Sequence, residues 1–239
     1  MSQSSPLAPR VFLAFDDFSL AGKHVFPFAK FNGIQPQDVP QAAIAALFPN
    51  KLSQFIQVKC QPDNQAAFVT VNTTSLKCNE RWELADTLVT AFDQSNVQEV
   101  AILAALHLPY AKDEDLNVFQ CSLNEDTLGE QTKHLDTLVL PKVESKWEVK
   151  DPFLSALLHL IQVECAPRTH LLLAKGYKPG RDLSGTYDAV DALGKALQLF
   201  TRGQVTVDLD QMKRELPRVL SKEKVKNTES DDHLTLLYH

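Results

Sequence analysis

The chain has 239 residues, enough for one large α/β domain whose core needs no disulfide or metal staple. Hydrophobic residues at 44% and charged residues at 23% exclude a disordered or fibrous chain, and 24 Lys and Arg against 30 Asp and Glu, a net charge of -6 without a long basic run, argue against nucleic acid as a partner. Only 8 glycines are present, where average usage near 7% would give about 17, so little material is left for phosphate-cradling loops.

The opening MSQSSPLAPRVFLAF sets one Arg before a very short apolar run, which is not a targeting pattern. No later stretch approaches the roughly 18 to 20 apolar residues of a membrane span. A cytoplasmic place is expected, with the nucleus also open, and no membrane partner. Gln41 to Phe48, an Ala-rich run behind Pro40, predicts a short helix. Gln54 to Cys60 and Ala66 to Val71 predict two strands, and Gln61-Pro62-Asp63-Asn64 between them supplies the turn of a hairpin. The sequon Asn72-Thr73-Thr74 reads as a surface turn. Trp82, Ala85, Leu88, Val89 and Phe92 fall at helical spacing over Asn79 to Gln94, with Asn79 as a candidate cap. Glu99 to Leu106 is a nearly continuous apolar run of strand length, as in a strand covered on both faces.

Residues 109–150, irregular and of mixed charge, are expected as a surface insertion. Asp151-Pro152 then caps and opens a strongly apolar helix, FLSALLHLIQVEC, expected to be buried. His170 to Ala174 predicts a second interior strand. A loop over 175–182 leads from it into a helix from about Gly185 to Phe200, with Tyr187, Val190, Leu193, Leu197 and Phe200 on one face. A last amphipathic piece, Asp208 to Leu220, should end or kink at Pro217. The order of elements predicts an α/β domain over 1–220, one open layered sheet flanked by helices. Residues 221–239, polar and then apolar at the tip, complete the chain as a flexible tail.

Chemistry is sparse. Cys60, Cys78, Cys121 and Cys165 form no CxxC pair and read as free thiols, and the seven histidines show no metal-ligand spacing, so neither metal nor cofactor is expected. Ser155 and His159 share a helix face as a nucleophile and base could, but no GxSxG elbow accompanies them; satisfied core polar groups are the plainer reading. Cys165 with His170 or His159 reads the same way, since a reactive thiol needs an electropositive, accessible setting. Lys175, Lys178 and Arg181, with Ser184 and Thr186 at a helix N-terminus, could hold an anion; an ordinary capped loop competes with that idea. The tip is more distinctive. Leu237-Tyr238-His239 places a hydrophobic residue and a tyrosine before a terminal carboxylate, behind a polar leader that leaves Leu234 and Leu236 in water unless a partner covers them.

The tail, together with QFIQVKC, AAFVTV, ERWELADTLVTAF, VAILAAL and DPFLSALLHLIQVECAPRTHLLLAKGY, resembles the first subunit of the heterodimeric proteasome assembly chaperones. That resemblance implies a non-catalytic α/β protein, paired with a sister chaperone, that docks on the α-ring of the core proteasome through a hydrophobic-tyrosine-X tail. Leu237 would fill the apolar mouth of a pocket between α-subunits, Tyr238 would lie on its wall, and the His239 carboxylate would pair with a lysine. A 19-residue tail could reach about 60 Å at roughly 3.3 Å per residue. The alternative from a different class is a small α/β enzyme that takes a phosphorylated or nucleoside-like ligand at the 175–186 loop.

Overall fold

The computed structural model describes residues 7–48, 50–108, 118–124, 140–143, 148–164, 167–178 and 184–230, with the backbone alone for residue 50 and for 221–230. Among the described residues, nine strands and five α-helices lie in this order: β1 (Arg10–Phe15), β2 (Ala29–Phe31), β3 (Gln37–Asp38), α1 (Gln41–Leu47), β4 (Ile56–Cys60), β5 (Ala66–Val71), α2 (Cys78–Gln94), β6 (Glu99–Leu106), β7 (Val118–Leu123), α3 (Pro152–Val163), β8 (Arg168–Lys175), α4 (Ser184–Phe200), β9 (Val205–Val207) and α5 (Leu209–Ser230). The main sheet has seven strands in the order β3-β4-β5-β1-β6-β8-β7, and β2 pairs with β9 in a separate ribbon. Strands β5, β1, β6 and β8 are parallel, while β4, β3 and β7 complete the edges antiparallel. The expected open α/β sheet flanked by helices is the observed one.

Alternation along β1 divides the core into two layers. Val11, Leu13 and Phe15 face one side, where Leu84 and Leu88 of α2, Phe153 and Leu157 of α3, and Ile44 of α1 cover the sheet. Phe12 and Ala14 face the other, under Val190, Leu193 and Leu197 of α4 and Met212, Leu216 and Leu220 of α5. All eight residues of β6 are buried, as its unbroken apolar run requires. The β4/β5 hairpin forms in the predicted place. Helix α3 begins where the sequence says it should, with Asp151 Oδ1 accepting the Leu154 N–H at 2.9 Å.

Four expectations are corrected. Helix α2 starts too early for Asn79 to cap it: Lys77 is the N-cap, and its backbone N–H donates to the Glu80 carboxylate at 2.8 Å. The 109–150 stretch is more than a surface insertion, because its Val118–Leu123 forms β7, the outer strand beside β8. Gln120 of β7 also bonds to Pro141 and Val143, so part of the exposed edge is paired. Helix α5 does not end at Pro217; Leu216 and Leu220, buried on either side of it, pack the helix down across the hydrogen bond that proline cannot make. Residues 221–230, read as the start of the tail, continue that helix.

Candidate functional site

In open α/β sheets, ligands gather outside the carboxyl ends of the parallel strands. Here two consecutive aspartates fill that edge. Asp16, at the end of β1, turns toward the end of β5. Its Oδ2 accepts from the backbone N–H groups of Thr73 and Thr74 at 3.0 and 3.2 Å and from the Thr74 hydroxyl at 2.8 Å, while Lys23 Nζ lies 2.7 Å from its Oδ1. Asp17 turns toward β6. Its Oδ1 takes the backbone N–H groups of Ser19 and Ala21, both at 3.0 Å, and its Oδ2 takes those of Gly22 at 2.7 Å and Ala105 at 3.0 Å. Burial pushes the Asp17 carboxyl up to about 6, against the pull of those four donors. Gly22 makes the clasp possible: a Cβ there would stand 2.4 Å from the Leu103 carbonyl oxygen and 2.9 Å from Asp17 Oδ2.

This clasp decides how the 175–186 loop can be used. Ser19 donates its hydroxyl to the Tyr177 carbonyl at 2.8 Å and accepts at its own carbonyl from the Thr186 hydroxyl at 3.2 Å. Gly176 donates its N–H to Leu106 O, and a Cβ on it would meet Ser19 Oγ at 2.5 Å and the Ala105 carbonyl carbon at 2.8 Å. Gly185 lets the first turn of α4 close on Tyr177, whose Cβ would lie 2.8 Å from a Cβ at that position. Of the candidate anion ligands, Thr186 is buried in this packing, Ser184 opens α4, Lys175 Nζ stands 5.7 Å from the centre of the Tyr177 ring, and Lys178 is exposed. Arg181 lies outside the described residues. The N–H groups of Ser19, Ala21 and Gly22, which could form an anion nest, already hold the chain's own carboxylate. A phosphorylated ligand would meet Asp17 there, so the geometry does not favour the enzyme alternative.

The remaining candidates separate in space. Ser155 and His159 are exposed on the outer face of α3 rather than in the core, and the His159 ring meets Trp82 of α2 edge-on at 5.9 Å. The apolar run that predicted a fully buried helix leaves that stripe to solvent. Cys165 lies outside the described residues. His170 is buried at the opposite edge of the sheet, with Nδ1 2.9 Å from Ser122 Oγ and Nε2 3.3 Å from Glu99 Oε1. Burial pushes the Cys60 thiol up to about 11, which keeps it protonated and unreactive. Among the described residues, no group of three His, Cys, Asp or Glu is placed to hold a metal ion, and no helix is long and apolar enough to cross a membrane.

Leu237, Tyr238 and His239 lie outside the described residues. At the start of α5, Leu209 lies against Gly194 of α4 and Lys213 Nζ stands 3.7 Å from Asp191 Oδ1. Sequence reasoning missed Asp16 and Asp17. Their signal was an apolar run closed by Asp-Asp and followed by Ser19, Ala21 and Gly22, small residues suited to a tight turn around a carboxylate.

No protein-family model matches the chain, and no curated protein matches it. Solved structures do match, over nearly the whole length. Pyrococcus furiosus PbaA, an archaeal homolog of proteasome-assembly chaperone, has a TM-score of 0.58 at 15% identity, with 90% of this chain and 91% of that chain covered. Pyrococcus furiosus PbaB, an archaeal proteasome activator, has a TM-score of 0.58 at 14% identity, covering 93% and 94%. A PAC2 family protein from Streptomyces avermitilis has a TM-score of 0.51 at 13% identity, covering 93% and 97%. The fold is thus one found among proteasome-assembly chaperone homologues.

Proposed function

We propose that this chain is a proteasome assembly chaperone without catalytic activity of its own. It works as a heterodimer with a sister chaperone, binds the outer face of the core-particle α-ring and promotes α-ring assembly. Leu237, Tyr238 and the carboxylate of His239 are the docking residues. The observation that carries this reading is the two-way coverage with PbaA, 90% and 91%, which leaves little of either chain outside the common fold. The occupied carboxyl edge of the sheet supports it, since the usual ligand crevice of an open α/β enzyme is closed by Asp16 and Asp17.

The energetics fit a tethered plug. A charge-assisted bond from a terminal carboxylate to a lysine contributes about 1.5 to 3 kcal/mol, and a buried Tyr238 ring adds apolar contact and a hydroxyl hydrogen bond. Ordering the segment costs about 2 to 5 kcal/mol, so a single tail binds weakly. A second tail on the sister subunit, or contact by the folded body, raises the effective concentration and makes docking useful. Past Ser230 nine residues remain, about 30 Å when extended.

The test is capture from native extract by the tagged full chain and by a chain lacking residues 237–239. Proteasome α-subunits and a sister chaperone are expected with the full chain. Their recovery should fall at least about tenfold with the truncated one, while its melting temperature stays unchanged. Equal recovery by both chains, or a full chain that brings down no proteasome subunit, contradicts the proposal.

A further inference from the structure

The turn that follows β2 carries the chain's single Asn-Gly pair. Phe31 and Ile34 exchange both backbone hydrogen bonds at 2.9 Å, which makes Asn32 and Gly33 the two central residues of a tight turn. Their φ values of 48° and 78° are the left-handed pair of a type I′ turn, which Asn-Gly suits well. Both residues are exposed. A Cβ on Gly33 would meet nothing within 4 Å, and no acceptor among the described residues takes the Gly33 N–H.

We propose that this turn is a site of spontaneous covalent modification, at which Asn32 is deamidated to aspartate and isoaspartate. The Gly33 backbone nitrogen gives its proton to solvent and attacks the side-chain carbonyl carbon of Asn32. The new C–N bond closes a succinimide ring as the C–NH2 bond breaks and ammonia leaves. Water then opens the ring at either carbonyl. One opening gives aspartate; the other gives isoaspartate, in which the main chain runs through the side-chain carbon. No electrons change hands, and water is the one co-reactant.

The structure separates this asparagine from others in the chain by the nitrogen that must attack. After Asn64, the Gln65 N–H is held by Asp63 Oδ1 at 3.3 Å; after Asn72, the Thr73 N–H is held by Asp16 Oδ2 at 3.0 Å. After Asn96, the Val97 N–H is held by Phe92 O at 2.9 Å. Each of those nitrogens also belongs to a residue whose Cβ crowds ring closure, whereas Gly33 has none. Ring closure needs the turn to open. What resists is the Phe31–Ile34 pair and the bond from Asn32 N–H to Gln204 O at 2.7 Å, and an exposed turn held this way opens at small cost. Isoaspartate lengthens the main chain inside a turn whose two residues fix the pairing, so the change pulls on Phe31, which is buried and paired with Val205 of β9. The site is independent of the function proposed above.

Prolonged incubation of the full chain in mildly alkaline buffer, followed by digestion and mass spectrometry, tests this. Conversion at Asn32 should run at least several-fold faster than at Asn64, Asn72 or Asn96. An isoaspartyl methyltransferase, which moves the methyl group of S-adenosylmethionine onto the freed α-carboxylate, should label the aged chain on the peptide that holds residue 32. Gly33→Ala should slow the conversion several-fold. Because alanine is strained at that positive φ, Asn32→Gln gives a second check: labelling of the same peptide should fall to background. Conversion at Asn32 no faster than at those other asparagines, or equal labelling of Asn32→Gln and the parent, overturns the inference.

Discussion

Asp17 and Gly22 depend on each other. The carboxylate occupies the concavity that four backbone N–H groups make, and the glycine lets the turn close over the Leu103 carbonyl without a collision. Asp17→Asn keeps one carbonyl oxygen but turns an NH2 group toward two of those donors. Each buried N–H left unpaired costs about 1 to 3 kcal/mol, so urea unfolding of the variant should show a loss of about 2 to 6 kcal/mol. The pH dependence carries a second signature. With its folded value raised from 3.8 to about 6, Asp17 keeps its proton better in the folded chain than in the unfolded one. Its contribution to stability is therefore full below pH 3.8 and falls as pH rises through 6, a slope that Asp17→Asn removes. An unfolding series from about pH 4 to 7 that keeps this slope in the variant assigns it to another group. Gly22→Ala should be at least as damaging, because the atom in the way belongs to the main chain and cannot swing aside.

At the other edge of the sheet, one carboxylate joins three strands. Glu99 of β6 takes Arg10 Nε of β1 at 2.7 Å and Arg168 NH2 of β8 at 3.1 Å, with His170 Nε2 of β8 3.3 Å away. Burial raises the Glu99 carboxyl, but the His170 contact and the Arg10 and Arg168 charges outweigh it and bring it from 4.5 down to about 2. This contribution is present above pH 4.5 and is lost as pH falls toward 2, the reverse of the Asp17 effect. Glu99→Gln should cost about 3 kcal/mol near neutral pH, since it leaves two arginines facing a neutral group, and should flatten the acid limb of the stability curve. A variant as stable as the parent at about pH 7 would show that the cluster contributes nothing net.

Strong local patterns were the legible ones. The covered run of β6, the hairpin turn before β5 and the Asp151-Pro152 opening of α3 each state their structure within a few residues. Strand β1 was harder to recognise, because Arg10 to Phe15 is short and reads equally well as the apolar patch of an N-terminal segment; only its central place between β5 and β6 makes it the axis of the sheet. Strand β7 was hidden by its mixed surroundings, and β2 and β9, three residues each, exist through each other. Helix α5 overrode its proline because burial on both sides of Pro217 is tertiary information. The Asp17 clasp was missed for a similar reason: three of its donors, Ser19, Ala21 and Gly22, are local, whereas Ala105 comes from a strand 88 residues away.

For the whole molecule, the two edges of the sheet divide the work. The amino edge is locked by the Glu99 cluster. The carboxyl edge is closed by Asp16 and Asp17. A chain that docks through its C-terminal tip, as proposed, needs such a rigid body behind it. Electron cryo-microscopy of the full chain bound to core proteasome measures it directly. The account predicts Tyr238 and the His239 carboxylate seated in a pocket between two α-subunits. A complex in which that pocket is empty contradicts it.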